Sequence, residues 1–243
     1  MQLATTTVGT GPRHVGLVHG LSADSGTWRP LVDRMLETGR FTVTTVDLRG
    51  HGTSERASSY RLDDMADDLV EALPAGLHSV VGHSLGGAVL VRAVARLAPE
   101  RAVYLDPGFG LSLPSSGVAG RLFWMAPLLS LGIAGIGQAR ASAAVLKGYS
   151  PEKRALIETA KKRFDRRMMV GIFREIVFSP MRAAAPAVPS AIVLSDQSLT
   201  VLSDDLATQL EQHGWQVRRL AGVHHDMHVE APDRLFELIE DAL

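Results

Sequence analysis

Cysteine is absent from the 243-residue sequence, and no long polar or Pro/Ser-rich tract interrupts it. A chain without cysteine forms no disulfides, thiolate nucleophiles or cysteine-ligated metal sites. Its 25 Lys and Arg residues balance 26 Asp and Glu residues, for a net charge of −1. This balance gives no electrostatic basis for binding a polyanion, so we expect an ordered globular protein without a nucleic-acid partner.

Targeting and membrane signals are also missing. Residues 1–16 contain no basic segment followed by an apolar one, which predicts no secretory signal and a cytoplasmic location. The most apolar region, residues 122–137, is interrupted by Pro127, Gly132 and Gly135. It is also shorter than the roughly 20 residues that cross a bilayer, so we expect buried or half-buried helix and no membrane span.

Short apolar runs bounded by turn residues alternate with segments of helical period. The runs that predict strands are residues 14–19, 41–48, 78–83, 101–106, 190–195 and 216–222. A helix is predicted within 61–76, and another begins near Pro232. This alternation predicts an α/β fold with a mostly parallel central sheet and helices on both faces.

Residues 108–186 break the alternation, because they contain apolar and amphipathic helical stretches but no convincing strand. They predict a helical cap inserted into a core made of residues 1–107 and 187–243. The basic cluster of Lys161, Lys162, Arg163, Arg166 and Arg167 lies in this insertion. We interpret it as a solvated face in preference to an anion site.

The motif with the clearest chemistry is the run Gly82-His83-Ser84-Leu85-Gly86. It follows a predicted strand and precedes a helical run. A serine on such a sharp turn is exposed at the carboxyl end of a sheet, and small residues two places before and after it let the backbone approach. The alternative interpretation is a glycine-rich turn with an incidental serine.

Four motifs follow one another from residue 17 to residue 235: "LVHGLSADSGTW", "VDLRGHGTS", "GHSLGG" and "GVHHDMHVEAPDRL". In this order they resemble the fingerprints of the α/β-hydrolase fold superfamily of esterases, lipases and C–C hydrolases. The resemblance covers nearly the whole chain except the predicted cap.

The resemblance implies a role for each matching residue. Ser84 is the implied nucleophile, and a serine there argues against the dehalogenase and epoxide hydrolase branches, which use aspartate. The backbone amides of Leu21 and Leu85 are the implied oxyanion hole. The expected residues of the substrate site are Gly20, His83, Phe109 and Trp124.

Three histidines are candidates for the general base: His224, His225 and His228. The family spacing, counted back from Glu230 and Pro232, selects His225. The i, i+4 spacing of His224 and His228 leaves a metal site open, but no His-Glu-x-x-His pattern or cysteine supports one. We expect no metal or cofactor, and loop or pocket-lining roles for His224 and His228.

The acid that would orient the catalytic histidine has two candidates. The usual family position, in the loop after strand 190–195, holds Ser198, and Asp196 arrives two residues early. Some branches of the superfamily place the acid at the end of the strand after the nucleophile helix, where this chain has Asp106. We favour Asp106 over Asp196, with a turn-forming aspartate as the alternative for Asp106.

These features predict a serine hydrolase that cleaves carboxylic esters, or related acyl bonds, through an acyl-enzyme. Apolar residues of the cap favour small to medium hydrophobic substrates: Phe109, Leu111, Leu113, Leu122, Phe123, Trp124, Met125, Leu128 and Leu129. C–C bond hydrolysis, lactone hydrolysis and perhydrolysis use the same triad and remain alternatives. A ligand-binding receptor with this fold is the alternative from another class.

Overall fold

The computed structural model describes residues 1–109, 143–178, 181–197 and 202–243. The described strands are β1 (Ala4–Val8), β2 (Arg13–Val18), β3 (Phe41–Asp47), β4 (Ser79–His83), β5 (Arg101–Leu105), β6 (Ser190–Ser195) and β7 (Gln216–Leu220). Together they form one sheet in the order β1-β3-β2-β4-β5-β6-β7.

The sheet is parallel except at one edge. β1 pairs antiparallel with β3, and every other neighbouring pair is parallel. The six strands predicted from the sequence are confirmed to within two residues at each end. β1 was not predicted, because its segment ATTTV has exposed threonines at its centre and lies at an edge, where no alternation of apolar residues is needed.

Helices cover both faces of this sheet. The described helices are α1 (Arg29–Leu36), α2 (Leu62–Ala72), α3 (Leu85–Leu97), α4 (Pro151–Lys162), α5 (Met168–Phe178), α6 (Asp204–Gln212), α7 (Met227–Glu230) and α8 (Pro232–Ile239). One apolar cluster contains residues of α2 and α3 such as Leu69 and Leu90, and a second contains residues of α1 and α8 such as Met35 and Phe236. The central strands contribute to both clusters, so the sheet is buried on its two sides.

The helices α4 and α5 lie between β5 and β6 in the chain, as expected for an inserted helical cap. They contact the core at defined points. The Asp165 N–H, between the two helices, donates to the carbonyl of Gly50 (2.7 Å), and the Tyr60 hydroxyl donates to the Asp165 carboxylate (2.7 Å). Glu175 on α5 accepts the N–H of Leu62 at the start of α2 (3.0 Å), where the helix dipole stabilises a carboxylate.

Part of the predicted cap, including its apolar stretch at 122–137, lies outside the described residues. The proposed boundaries at 108 and 186 therefore stay a prediction. Among the helices in the described part of the chain, none combines the length and apolar character that a membrane crossing requires.

Candidate active site

Ser84 occupies a sharp turn between the end of β4 and the start of α3. Its backbone angles are φ 50° and ψ −113°, a strained conformation for a residue with a side chain. A Cβ on Gly86 would lie 2.3 Å from the carbonyl oxygen of Val18, and a Cβ on Gly82 would lie 2.8 Å from that of Gly86. Glycine at these two positions is therefore what lets the turn close against the neighbouring backbone.

Backbone hydrogen bonds attach this turn to the end of β5. The N–H of Ser84 donates to the carbonyl of Leu105 (2.9 Å), and the N–H of Gly108 donates to the carbonyl of Ser84 (2.9 Å). The serine turn and the segment around Asp106 thus form one hydrogen-bonded unit at the carboxyl edge of the sheet, where α/β proteins bind ligands.

Asp106 follows β5 directly and is buried, with 5% of its surface exposed. Its Oδ2 lies 3.1 Å from Nδ1 of His225. The same carboxylate accepts two hydrogen bonds from Ser195 at the end of β6, one from the N–H (2.8 Å) and one from Oγ (2.5 Å). The backbone of Asp106 has φ 38°, and its N–H donates to the carbonyl of Val193 (2.9 Å).

The contact between Asp106 and His225 changes the acidity of both groups. Burial acts to raise the pKa of Asp106, but the hydrogen bonds from His225 and Ser195 outweigh it and hold that pKa below its usual range. Burial acts to lower the pKa of His225, but the hydrogen bond to Asp106 and its charge outweigh burial and raise that pKa. The carboxylate is therefore ionised and favours the protonated imidazole.

Asp196 lies elsewhere. Its side chain is exposed, and Oδ1 accepts the N–H of Gly222 (2.7 Å), which ties the loop after β6 to the end of β7. The structure thus brings Asp106, and not Asp196, to the imidazole of His225. Ser198, at the usual family position of the acid, lies outside the described residues.

The loop at residues 19–22 lies against the serine turn and is held by two imidazoles. His19 Nδ1 donates to the carbonyl of Gly20 (2.8 Å), because its Nε2 accepts the N–H of Leu48 (3.0 Å). Nε2 of His51 accepts the N–H of Ser22 (3.3 Å). Burial lowers the pKa of both rings, that of His51 to about 3, so both stay neutral acceptors at neutral pH.

This loop approaches Ser84 closely at Gly20. A Cβ on Gly20 would lie 3.1 Å from Cβ of Ser84, so the backbones approach closely there. Leu85 is the first residue of α3, so its N–H has no acceptor within the helix. Within the described part of the chain, the N–H of Leu21 also meets no acceptor. Backbone donors without a partner are what an oxyanion hole requires.

The predicted candidate bases have three different environments. Of the three, His225 is the one that contacts Asp106. His224 bonds to the carboxylate of Glu230 (3.1 Å). His228 differs from the sequence interpretation because it lies in helix α7 and is buried (1% exposed), with its ring centroid 4.3 Å from that of Trp28. Burial lowers the pKa of His228 well below its usual value.

His83, expected in the substrate site, supports the backbone of the candidate base. It is buried, and its Nε2 donates to the carbonyl of His225 (2.9 Å). Burial, and then the proximity of His225, lower its pKa to about 4, so the ring is neutral. Because Nε2 carries the proton in this bond, Nδ1 does not.

Two more residues were expected in the substrate site. Phe109 is in the core: it is 3% exposed, and its ring packs against Tyr104 (5.4 Å between centroids) and Trp215 (5.9 Å). An apolar residue type alone does not separate a pocket wall from the core, which is why the sequence placed it in the pocket. Trp124 lies outside the described residues.

Sequence reasoning missed the contact made by Ser195. The signal for it was available, because Ser195 ends the strand next to β5, and residues at the ends of adjacent parallel strands lie side by side. Asp47, at the end of β3, accepts the N–H groups of Ser25 (2.7 Å) and Thr53 (2.8 Å). Within the described ranges, no three His, Asp or Glu side chains are grouped to hold a metal ion.

A family model identifies the fold family independently of the geometry. The model described as the alpha/beta hydrolase family matches residues 17–238. Among solved structures, an N-acyl homoserine lactone degrading enzyme superposes with a TM-score of 0.73, covering 99% of this chain and 96% of that chain at 21% identity. At that identity the likeness shows a shared fold.

Curated relatives match over a shorter segment. The pimeloyl-[acyl-carrier protein] methyl ester esterase of Nitrosomonas europaea is 42% identical over 95 residues, which is 39% of this chain and 36% of the relative. The 2-(acetamidomethylene)succinate hydrolase of Mesorhizobium japonicum is 39% identical over 92 residues, 36% of this chain and 32% of the relative. The match thus spans about a third of each relative, and both relatives are named as hydrolases.

Proposed function

The chain belongs to the alpha/beta hydrolase family, and from this premise we propose that it is a serine hydrolase that cleaves carboxylic esters. The observation that carries the proposal is the hydrogen bond between buried Asp106 and Nδ1 of His225 (3.1 Å). A carboxylate held on Nδ1 fixes the imidazole tautomer that leaves Nε2 to accept a proton from a nucleophile. The serine on the adjacent strained turn, Ser84, is the proposed nucleophile.

The proposed reaction has two halves. His225 takes the proton of the Ser84 hydroxyl while the oxygen attacks the ester carbonyl, and the N–H groups of Leu21 and Leu85 bind the oxyanion. His225 then gives the proton to the leaving alcohol, which departs as the acyl-enzyme forms. Water, deprotonated by His225, attacks the acyl-enzyme, and His225 returns the proton to the Ser84 oxygen as the acid is released. Asp106 stays ionised and stabilises the imidazolium in both halves.

The substrate class rests on two supports. The relative in Nitrosomonas europaea is named as a methyl ester esterase, which favours an ester with a small alcohol. The predicted cap is rich in apolar residues, which favours a small to medium hydrophobic acyl group. Lactones and β-diketone-like compounds suit the same triad and are the other substrates to test.

Covalent labelling tests the nucleophile. A fluorophosphonate probe reacts with an activated serine, so wild-type protein should be labelled and Ser84→Ala should not. Absence of label on the folded wild-type protein would count for the binding-protein alternative and against a hydrolase.

A substrate panel tests the reaction. p-Nitrophenyl acetate and butyrate, a set of lactones and a vinylogous diketone are compared by kcat/KM on the same preparation, with Ser84→Ala as the blank. We expect the esters to be turned over with the highest kcat/KM. If lactones or diketones exceed the esters by tenfold or more, the ester assignment fails while the serine hydrolase assignment stands.

A second candidate is an ester whose acyl group is carried by an acidic protein. One observation favours it: an open cleft of about 730 Å³ on the inserted helical region is lined by Arg56, Lys161, Lys162, Arg166 and Arg167, together with Glu158, Phe164 and Asp165. The methyl ester esterase relatives are named for a substrate on acyl-carrier protein. The basic side chains of this cleft would attract an acidic carrier protein, and added salt would weaken that attraction.

Charge reversal separates this candidate from the first. Lys161→Glu with Arg167→Glu should lower kcat/KM for a carrier-bound ester by tenfold or more at low salt, and leave p-nitrophenyl acetate hydrolysis unchanged. An equal effect on both substrates, or on neither, would rule out a carrier-binding role for the cleft.

A further inference from the structure

Glu230, the last residue of α7, contacts two other parts of the chain. Its Oε2 accepts the N–H of His224 (2.8 Å) and the hydroxyl of Tyr149 (3.1 Å). Its Oε1 lies 3.1 Å from Nδ1 of His224. Its backbone carbonyl accepts a hydrogen bond from Nζ of Lys153 (2.9 Å). The side chain and the backbone carbonyl of Glu230 thus contact both the histidine loop and the inserted helical region.

The first of these contacts fixes the backbone next to the candidate base. His224 immediately precedes His225, so its N–H and ring, held by one carboxylate, define where the chain enters the His225 residue. On the other side, the carbonyl of His225 accepts the bond from His83. The backbone around the imidazole is therefore held at two points, one from the serine turn and one from Glu230.

The other contacts come from the start of α4. Tyr149 precedes the N-cap Ser150 of this helix, and Lys153 lies in its first turn. Burial, and then the charge of Glu230, raise the pKa of the Tyr149 hydroxyl, which keeps it protonated as a donor. The Glu230 side chain is itself 20% exposed, so these bonds are made in a partly desolvated place where they are stronger than in water.

We propose that Glu230 is a positioning residue that connects the loop of His225 to the start of α4. Through this connection, the position of the inserted helices sets the orientation of the imidazole. This inference rests on the proposed serine hydrolase function. A shift of about 1 Å in a catalytic group can lower a rate by about 100-fold, so a side chain that touches no substrate can have a large effect on kcat.

The matched variants are Glu230→Ala, Glu230→Gln, Tyr149→Phe and Glu237→Ala. Glu237→Ala is the control, because Glu237 is exposed on α8 and makes no hydrogen bond or ion pair with the described residues. Glu230→Gln keeps an acceptor for His224 and Tyr149 and serves as the conservative rescue. Tyr149→Phe removes the contact of the Glu230 side chain with the start of α4 and leaves the bond from Lys153 to the Glu230 carbonyl in place.

The readouts are kcat and KM for p-nitrophenyl acetate, and the rate of Ser84 labelling by a fluorophosphonate. We expect Glu230→Ala to lower kcat and the labelling rate by about 10- to 100-fold with KM within threefold. Glu230→Gln should recover most of this loss, and Tyr149→Phe should lower kcat by threefold to tenfold. The double variant should be no slower than Glu230→Ala, because both changes break the same connection.

Two outcomes overturn the proposal. One is a kcat and labelling rate in Glu230→Ala equal to those of Glu237→Ala; the other is an unchanged kcat in Tyr149→Phe. The second decides the matter if Glu230→Ala does not fold. Failure of the proposed function looks different, since wild-type protein would then not label at all. In that case, amide hydrogen exchange at residues 224–226 still tests whether the Tyr149–Glu230 contact restrains the loop of His225. Equal exchange rates in wild type and Tyr149→Phe would contradict such a restraint.

Discussion

The carboxylate of Asp106 lies 3.1 Å from Nδ1 of His225, although 119 positions separate the two residues in sequence. The sheet explains how they meet. Asp106 ends β5, and the neighbouring strand β6 supplies Ser195, whose N–H and hydroxyl both donate to the same carboxylate. Ser195 on the adjacent strand therefore helps to orient the carboxylate that contacts the imidazole.

The assignment of the acid can be tested with two substitutions that differ only in position. Asp106→Asn should lower kcat on the order of 10³- to 10⁴-fold, because the imidazole loses the partner that fixes its tautomer. Asp196→Asn should change kcat less than about threefold, because its carboxylate bonds to Gly222 and not to His225. Ester hydrolysis by both folded variants is the measurement, and the reverse order would transfer the role to Asp196.

The pH dependence follows from the raised pKa of His225. The imidazole must be neutral to take the proton of Ser84, so kcat/KM should rise with pH through a midpoint above 6.5, the ordinary value for histidine. In Asp106→Asn the raising partner is gone while burial remains, so the midpoint of the residual activity should move downward. A profile of kcat/KM from pH 5 to 9 for both proteins checks this, and a midpoint that is the same in both would contradict it.

Gly20 offers a test of the loop beside the serine turn. A Cβ at this position would lie 2.8 Å from Nδ1 of His83 and 3.1 Å from Cβ of Ser84. Gly20→Ala should therefore displace the amide of Leu21 and lower kcat on the order of 10²-fold or more, as for loss of an oxyanion donor.

The matched control for Gly20 is Gly171→Ala. An added Cβ there meets no atom within 4 Å, and Gly171 lies within α5, so the change should leave kcat alone and stabilise the helix by up to about 1 kcal/mol. Equal activity of the two variants would show that the close approach at Gly20 is not needed for catalysis.

Buried neutral histidines predict acid sensitivity of the fold. The pKa values of His19, His51, His83 and His228 are all lowered by burial, to about 3 for His51 and about 4 for His83. Between these values and 6.5 the unfolded chain binds protons that the folded chain does not. The free energy of unfolding should therefore fall as pH drops below 6.5, by up to about 1.4 kcal/mol per pH unit for each such group.

His225 acts in the opposite direction. Its pKa is raised in the folded state, so its contribution is present below 6.5 and is lost as pH rises through the folded value. Urea denaturation at several pH values between 5 and 7 measures the net slope. His228→Leu should make that slope shallower by about one proton, because neither ring nitrogen of His228 has a partner within the described part of the chain. An unchanged slope would show that His228 already titrates normally when folded.

The sequence predicted the strands and helices whose residues follow a regular apolar pattern. Buried parallel strands are apolar runs, so β2 to β6 were found, and the partly exposed edge strand β7 was found as well. β1 was missed because its pattern is that of an exposed threonine-rich edge. The proximity of Asp106 to His225 was anticipated from its place at a strand end. The bonds from Ser195 and the contacts of Glu230 with Tyr149 were not, because they depend on how separate elements pack.

The serine turn and the turn of Asp106 are carried by two strands that pair in register, with His83 opposite Leu105. The bond from the Ser84 N–H to Leu105 completes the connection. The spacing of the proposed nucleophile and acid is thus set by one strand ladder, ahead of the insertion in sequence. A change in the length or polarity of residues 110–142 should therefore leave the spacing of Ser84 and Asp106 unchanged.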